Sequence, residues 1–186
     1  MPTAPGPKVA LERGPELPRE MERVGMILDI THLADQSFDE AIEIYGGPLL
    51  ASHHNNRTLV PNQRQLSDEQ TKKLIARGAV IGHALDIWMM HPNYVRGETK
   101  VNIPLQRICD HIDRVCQMAG NAKHAAIGTD LDGGAWAASN RPTTSTRSPT
   151  CNASFDMLRK RGYSEADIEG IMHANWVRFF RDAWKK

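Results

Sequence analysis

The stretch Ala125-Ala-Ile-Gly-Thr-Asp-Leu-Asp-Gly-Gly134 is the segment of the chain that decides the fold. Small and apolar residues that can be buried on both faces run directly into Asp130 and Asp132, and a glycine pair then lets the chain turn. This order is typical of a buried parallel strand that carries carboxylates to a functional edge of a sheet. The same Asp-x-Asp-Gly pattern also occurs in calcium loops and in ordinary turns, so it does not assign a function by itself.

Two apolar runs upstream each end in a histidine. They are Met26-Ile-Leu-Asp-Ile-Thr-His32 and Pro48-Leu-Leu-Ala-Ser-His53. A lone histidine at a strand end is more often structural than a ligand, but His32, His53 and Asp130 together describe the catalytic face of a (β/α)8 barrel. Because neutral imidazole is a good zinc ligand and a carboxylate can accept a proton or hold an ammonium group, the sequence predicts metal chemistry at this edge.

Strand and helix signals alternate along the chain. The pattern predicts strands over 26–30, 49–52, 79–85 and 125–129, with a capping box at Ser37 and Glu40 opening one helix and another at Ser67 and Gln70 opening the next. Ser164 with Asp167 opens a later short helix, and residues 174–184 form a docking helix. This order predicts an α/β fold with a parallel sheet and right-handed crossovers.

The length of the chain limits how much of a barrel it can form. At 186 residues it falls short of the roughly 250 residues of a typical (β/α)8 barrel. We therefore predict the C-terminal half of such a barrel, with about four parallel strands, flanking helices, open edges and an uncovered inner face. Residues 1–18 are rich in proline and are expected to form a flexible arm before a partial barrel domain over 19–186.

Composition excludes several classes of partner. The 23 basic and 22 acidic residues give a net charge of +1 without long runs of one sign, which argues against a nucleic-acid or anionic-membrane partner. Cys109 and Cys116 lie seven residues apart on one helical pattern, about 10 Å by helix rise, so they are expected to be reduced core residues. We find no signal-like segment and no membrane-spanning run, and we expect a cytoplasmic protein.

Most other histidines are expected to be solvated or to cap helices. These are His83, His91, His111, His124 and His173, whereas His54 should point away from the site because it follows His53 directly. His111-Ile-Asp113 resembles a metal-binding pair, but on a helix its side chains point about 200° apart. Arg64, in the loop after His53, could clamp a carboxylate or be a solvent-exposed loop arginine, and spacing alone leaves both open.

Six segments together resemble the membrane (renal) dipeptidase family, zinc peptidases on a (β/α)8 barrel within the amidohydrolase superfamily. The segments are Gly25-Met-Ile-Leu-Asp-Ile-Thr-His32, Ala51-Ser-His-His-Asn-Asn-Arg57, Arg64-Gln-Leu-Ser-Asp68, Ile127-Gly-Thr-Asp-Leu-Asp-Gly133, Arg161-Gly-Tyr-Ser-Glu-Ala-Asp-Ile168 and Asn175-Trp-Val-Arg178. The resemblance extends over nearly the whole chain from about residue 16.

The resemblance implies a binuclear zinc site that hydrolyses dipeptides and tolerates a D-residue at the C-terminal position. In this reading His32 and His53 ligate one zinc, Arg64 holds the substrate carboxylate, and Asp130 meets the substrate amine or the leaving nitrogen. A metal-bound hydroxide attacks the peptide carbonyl while the metals stabilise the oxyanion.

The chain also departs from the family pattern. The family's remaining zinc ligands, a strand-borne His-x-Asp and a bridging glutamate, would precede the first residue of this sequence. We therefore expect the isolated chain to be inactive, to bind zinc poorly and to associate, with a homodimer or a missing N-terminal half-barrel as partner. The alternative is a catalytically dead barrel remnant that acts as a binding module or has no function; a calcium module built on Asp130 and Asp132 is weak because further oxygen ligands do not follow.

A second departure lies between residues 135 and 154. The composition from Arg141 to Ser154 favours irregular structure over a barrel rim. Read in a shifted frame with suitable codons, this segment can encode a sequence that resembles the family, so we hypothesise a local frameshift with a compensating one.

Overall fold

The computed structural model describes residues 14–95, 98–99, 104–130 and 149–185, with the backbone alone for 149–154. The first thirteen residues of the predicted arm, Asp132 and the segment 135–148 lie outside the described residues.

Four short parallel strands form the centre of the described fold. They are β1 (Leu28–Asp29), β2 (Leu49–Leu50), β3 (Ile81–His83) and β4 (Ala125–Ile127). β1 pairs with β2, β3 pairs with β4, and a parallel bridge between Ala51 and Ile81 joins the two pairs. The four-stranded parallel order is therefore confirmed. The strands are shorter than predicted, although ladder-type hydrogen bonds continue past their ends, as from Ile30 to the carbonyl of Leu50.

Helices connect and flank these strands. Their bounds are α1 (Glu16–Arg23), α2 (Asp35–Ile44), α3 (Asp68–Ala76), α4 (Ile87–Met90), α5 (Gln106–Ala119), α6 (Pro149–Lys160), α7 (Glu165–Glu169) and α8 (Asn175–Ala183), with a π-helical turn (Gly170–Ala174) between the last two. α6 begins inside the segment predicted to be irregular. That prediction is wrong from residue 149 onward, and a proline suits the first helical position because its fixed φ is preorganised and its missing N–H has no partner there anyway.

Two of the three helix starts predicted from capping residues are correct, and the start at Ser37 is wrong. Ser67 and Ser164 each head a capping box with both reciprocal hydrogen bonds. α2 begins at Asp35, before Ser37, and Ala34 is its N-cap residue without a side-chain cap. α1 begins at Glu16, ahead of Pro18, because a proline in the first turn removes no intrahelical hydrogen bond.

One face of the sheet carries the main core. Residues at alternate strand positions, including Leu49, Ala51, Ile81 and Ala125, belong to one buried cluster with the apolar faces of α2, α3 and α5. Cys109 and Cys116 are buried and unbridged within this cluster, as predicted.

The opposite face of the sheet is covered by α8. Leu50, Val80 and Ala126 form a second cluster with Phe179, against which Trp176 and Phe180 also pack. The prediction of an uncovered inner face is therefore wrong over these strands, since the aromatic residues of α8 bury it.

The segment after β3 contains the short helix α4, in which Ile87, Met89 and Met90 are buried. The carbonyl of Met89 accepts hydrogen bonds from Asn55 and Gln65, which fixes α4 against the loop after β2. None of the helices in the described part of the chain is long and apolar enough to cross a membrane.

Candidate metal and substrate site

His32 and His53 meet at the carboxyl end of the sheet. They follow β1 and β2, which pair in parallel, so both side chains are delivered to the same edge. Their Nε2 atoms are 3.0 Å apart, and the rings meet edge to face with centroids 5.0 Å apart. The two imidazoles therefore present their outer nitrogens to one point in space.

Asp130 reaches the same point from the end of β4. Its Oδ2 atom lies 3.9 Å from Nε2 of His53. Both His32 and Asp130 adopt left-handed backbone conformations, with φ of 71° and 54°. Such conformations are unfavourable for residues with a Cβ, and they are concentrated at functional sites. At His32 and Asp130 this backbone conformation directs the side chains towards the site.

Arg64 lies beneath the histidines. Its Nη2 donates to the carbonyl of His53 at 2.9 Å and lies 3.4 Å from Nε2 of His32. The residue is only 5% exposed, which excludes the solvent-exposed loop arginine, and burial lowers the pKa of its guanidinium to about 10. Its Nε and Nη1 find no hydrogen-bond partner among the described residues. A buried cation with two unused donors is suited to a carboxylate.

A polar network that the sequence reasoning missed joins the two histidine loops. Oδ1 of Asp29 accepts hydrogen bonds from the backbone N–H groups of Thr31 and Ser52, the residues that precede the two histidines. The Ser52 hydroxyl lies 2.8 Å from Nδ1 of His53 and 3.2 Å from Oγ1 of Thr31. The available sequence signal was a hydroxyl residue directly before each histidine.

Two glycines allow the His53 loop to pass close to the neighbouring strands. A Cβ on Gly82 would lie 2.1 Å from the carbonyl oxygen of Ser52, and a Cβ on Gly128 would lie 1.9 Å from the same atom. Since both obstacles are backbone, any side chain at these positions would displace the loop that carries His53.

The remaining histidines correct several expectations. His83 and His111 were expected to be solvated or capping, but both are buried. His111 accepts a hydrogen bond from the backbone N–H of Asn56, and its pKa is lowered to about 4 by burial. His83 is fully enclosed, and burial lowers its pKa to about 3. His111 and Asp113 have separate partners on α5, since His111 contacts Asn56 and Asp113 pairs with Arg161.

The side chains at the strand ends provide some of the ligands that one zinc ion needs. Imidazole nitrogens and a carboxylate oxygen are the donors that zinc prefers. Burial, with the nearby charges of Arg64 and His53, lowers the pKa of His32, which favours the neutral imidazole that a metal requires. No group of three or more histidine, cysteine, aspartate or glutamate side chains within the described ranges is arranged to enclose an ion. The described residues therefore supply part of a coordination shell.

Comparisons with known proteins agree on one family. The family model for membrane dipeptidases (peptidase family M19) matches residues 11–185. An uncharacterized protein in the pqqA 5′ region of Klebsiella pneumoniae is 26% identical over 99% of this chain and 64% of its own length. Dipeptidase tcpJ of Claviceps purpurea is 26% identical over 91% of this chain and 37% of its own length.

Solved structures share the fold. A metallo peptidase from Rhodobacter sphaeroides, solved with a phosphinate mimic of the dipeptide L-Ala-D-Ala, superposes with a TM-score of 0.81 at 24% identity, over 93% of this chain and 47% of its own. An M19 metallo peptidase described as dipeptidase AC gives a TM-score of 0.81 at 22% identity, over 94% of this chain and 49% of its own. The described fold therefore corresponds to about half of a (β/α)8-type barrel.

Proposed function

This chain belongs to the membrane dipeptidase family, and we propose that it carries the C-terminal part of a zinc dipeptidase site. The observation that carries the proposal is the 3.0 Å approach of the His32 and His53 Nε2 atoms at the ends of paired parallel strands. The chain covers 64% and 37% of the length of the two relatives described above, so the activity of a whole enzyme is part of the proposal.

Each site residue has a role that follows from its chemistry. His32 and His53 would hold one zinc through Nε2, and zinc, when bound, supplies a Lewis acid that polarises the peptide carbonyl and activates water. Arg64 would bind the dipeptide carboxylate through its unused Nε and Nη1 donors. Asp130, beside His53, would accept a hydrogen bond from the substrate amine or from the leaving nitrogen.

The proposal includes ligands from outside the described residues. These residues supply too few ligands for a two-zinc site, so the remaining ligands would come from an N-terminal half-barrel or from a second copy of this chain. A second copy would add only more His32 and His53, which makes the half-barrel the better match to the family's ligand set.

Zinc titration of the purified chain tests the ligand assignment. We expect weak binding that does not reach two zinc ions per chain and that is lost in a His32→Ala/His53→Ala variant. Zinc affinity unchanged in that variant would refute the assignment of the two ligands. Tight binding of two zinc ions by the wild-type chain would refute the incompleteness of the site.

A catalytically dead remnant is the second candidate, and the partial coordination shell among the described residues favours it. A phosphinate dipeptide mimic separates the two. A retained substrate site predicts that the mimic binds the zinc-loaded chain and that binding falls in Arg64→Lys, which keeps the charge but loses the planar fork. A dead remnant predicts no binding by either protein.

A further inference from the structure

We propose that Asp29, Thr31 and Ser52 form a directed hydrogen-bond relay that fixes the tautomer of His53 with its proton on Nδ1. This inference rests on the proposed metal role of His53 and goes beyond it, because it assigns positioning functions to three residues that would not touch a metal or a substrate.

The carboxylate of Asp29 determines which groups in the relay donate hydrogen bonds and which accept them. An ionised carboxylate only accepts hydrogen bonds. Although partial burial, the largest influence, raises the pKa of Asp29, hydrogen bonds from the hydroxyl and backbone groups of Ser52 and Thr31 lower it overall. Asp29 is therefore ionised at neutral pH and acts only as an acceptor for Thr31 and Ser52, whose backbone N–H groups it holds.

Thr31 transmits this direction. Its Oγ1 receives the Ser52 hydroxyl at 3.2 Å and lies 3.4 Å from the backbone N–H of His53. Since a hydroxyl oxygen has two lone pairs, these two donors occupy its acceptor capacity. The hydrogen of Thr31 is then free for Asp29.

Ser52 passes the direction on to His53. Its hydroxyl hydrogen is used towards Thr31, so at 2.8 Å its oxygen accepts from Nδ1–H of His53. A neutral imidazole carries one N–H, so Nε2 of His53 keeps its lone pair and faces His32. Without a metal, the proton between the two Nε2 atoms then belongs to His32.

The relay also sets the spacing of the two loops. One oxygen of Asp29 holds the backbone N–H groups of Thr31 and Ser52 at 3.0 and 3.1 Å, which places the histidines that follow them in register. Groups that orient a ligating histidine in this way typically contribute about 10- to 100-fold to metal affinity.

The experiment is long-range ¹H–¹⁵N NMR of the metal-free full chain, labelled at histidine, at a pH where His53 is neutral. We expect the Nδ1–H tautomer of His53 in the wild type and a shift towards Nε2–H in Ser52→Ala and Asp29→Asn. Thr31→Ser, which keeps the hydroxyl, should preserve the wild-type tautomer, and Ser37→Ala, an exposed site on α2, serves as the control.

Zinc affinity gives the second readout. Ser52→Ala and Asp29→Asn should each weaken zinc binding about 10- to 100-fold, with Thr31→Ser near wild type. A wild-type His53 protonated on Nε2, or a tautomer unchanged by Ser52→Ala in a folded protein, would overturn the relay. If the tautomer behaves as expected but His53→Ala binds zinc as the wild type does, the relay stands and the proposed metal role fails.

Discussion

His53 and His54 are neighbours in sequence and opposites in environment. The His53 ring faces His32 at the strand ends, whereas His54 is 4% exposed and its ring nitrogens find no hydrogen-bond partner among the described residues. Burial, with the nearby charges of Arg64 and His53, places the pKa of His54 well below its usual value. In an extended chain successive side chains point to opposite sides, so one histidine reaches the site and the next enters the core.

The same division holds for the other histidines. His32 belongs with His53 at the mouth, while His83 and His111 belong with His54 among buried residues. Residue type alone therefore does not identify a metal ligand in this chain. The position of a histidine relative to the end of a strand does identify one. Variants of the histidines at the mouth and of the buried histidines should therefore behave differently.

The largest expected difference is in zinc binding. His53→Ala removes a proposed ligand, and we expect at least about 100-fold weaker binding, because groups that only orient a ligand already contribute about 10- to 100-fold. His54→Leu is the matched control and should keep zinc affinity within about twofold in isothermal titration. Equal losses in both variants would remove the distinction between the two neighbours.

Acid should destabilise the fold through the buried histidines. The pKa values of His83 and His111 are about 3 and about 4 in the folded chain, against about 6.5 when unfolded. Because the unfolded state binds these protons first, the stabilisation is complete above pH 6.5 and is lost as the pH falls towards 4. Each histidine should reduce the free energy of unfolding by about 1.4 kcal/mol per pH unit across this window, as measured by urea unfolding.

His83→Leu should sharpen the same comparison. Within the described part of the chain the ring nitrogens of His83 make no hydrogen bond of normal geometry, although the backbone of His54 lies near them, and an unsatisfied buried polar group costs about 1–3 kcal/mol. We expect the variant to unfold at a higher urea concentration at pH 7 and to lose part of the acid dependence. Zinc affinity should not change, and a destabilised variant would show that this ring has a polar partner.

The smallest effect is expected at His124. Nδ1 of this half-buried residue lies 2.9 Å from the carbonyl oxygen of Ala79, to which it donates ahead of β3. His124→Ala should reduce the free energy of unfolding by about 1 kcal/mol without altering zinc affinity. A loss of several kcal/mol would place His124 with the buried group.

The sequence reveals the local features that repeat along the chain. Alternating strands and helices, the capping boxes at Ser67 and Ser164, and the placement of His32, His53 and Asp130 after strands all follow from local pattern. These features depend on neighbours in sequence, so they can be predicted without tertiary structure.

Features that depend on distant contacts could not be predicted in the same way. The Ser37 capping box failed because Asp35 starts α2 and pairs with Arg57 across the fold. His111 lies inside because its helix packs beside Asn56, and α8 covers the sheet through Phe179. The carboxylate of Asp29 acts on two loops that meet only after β1 and β2 have paired.

X-ray absorption spectroscopy of the zinc-loaded chain tests the central claim most directly. We predict two imidazole nitrogens at about 2.0–2.1 Å from zinc in the wild type, and the loss of this signal in His32→Ala/His53→Ala but not in His54→Leu. An imidazole count that stays the same in the double variant would contradict the assignment of His32 and His53 as the metal-binding pair.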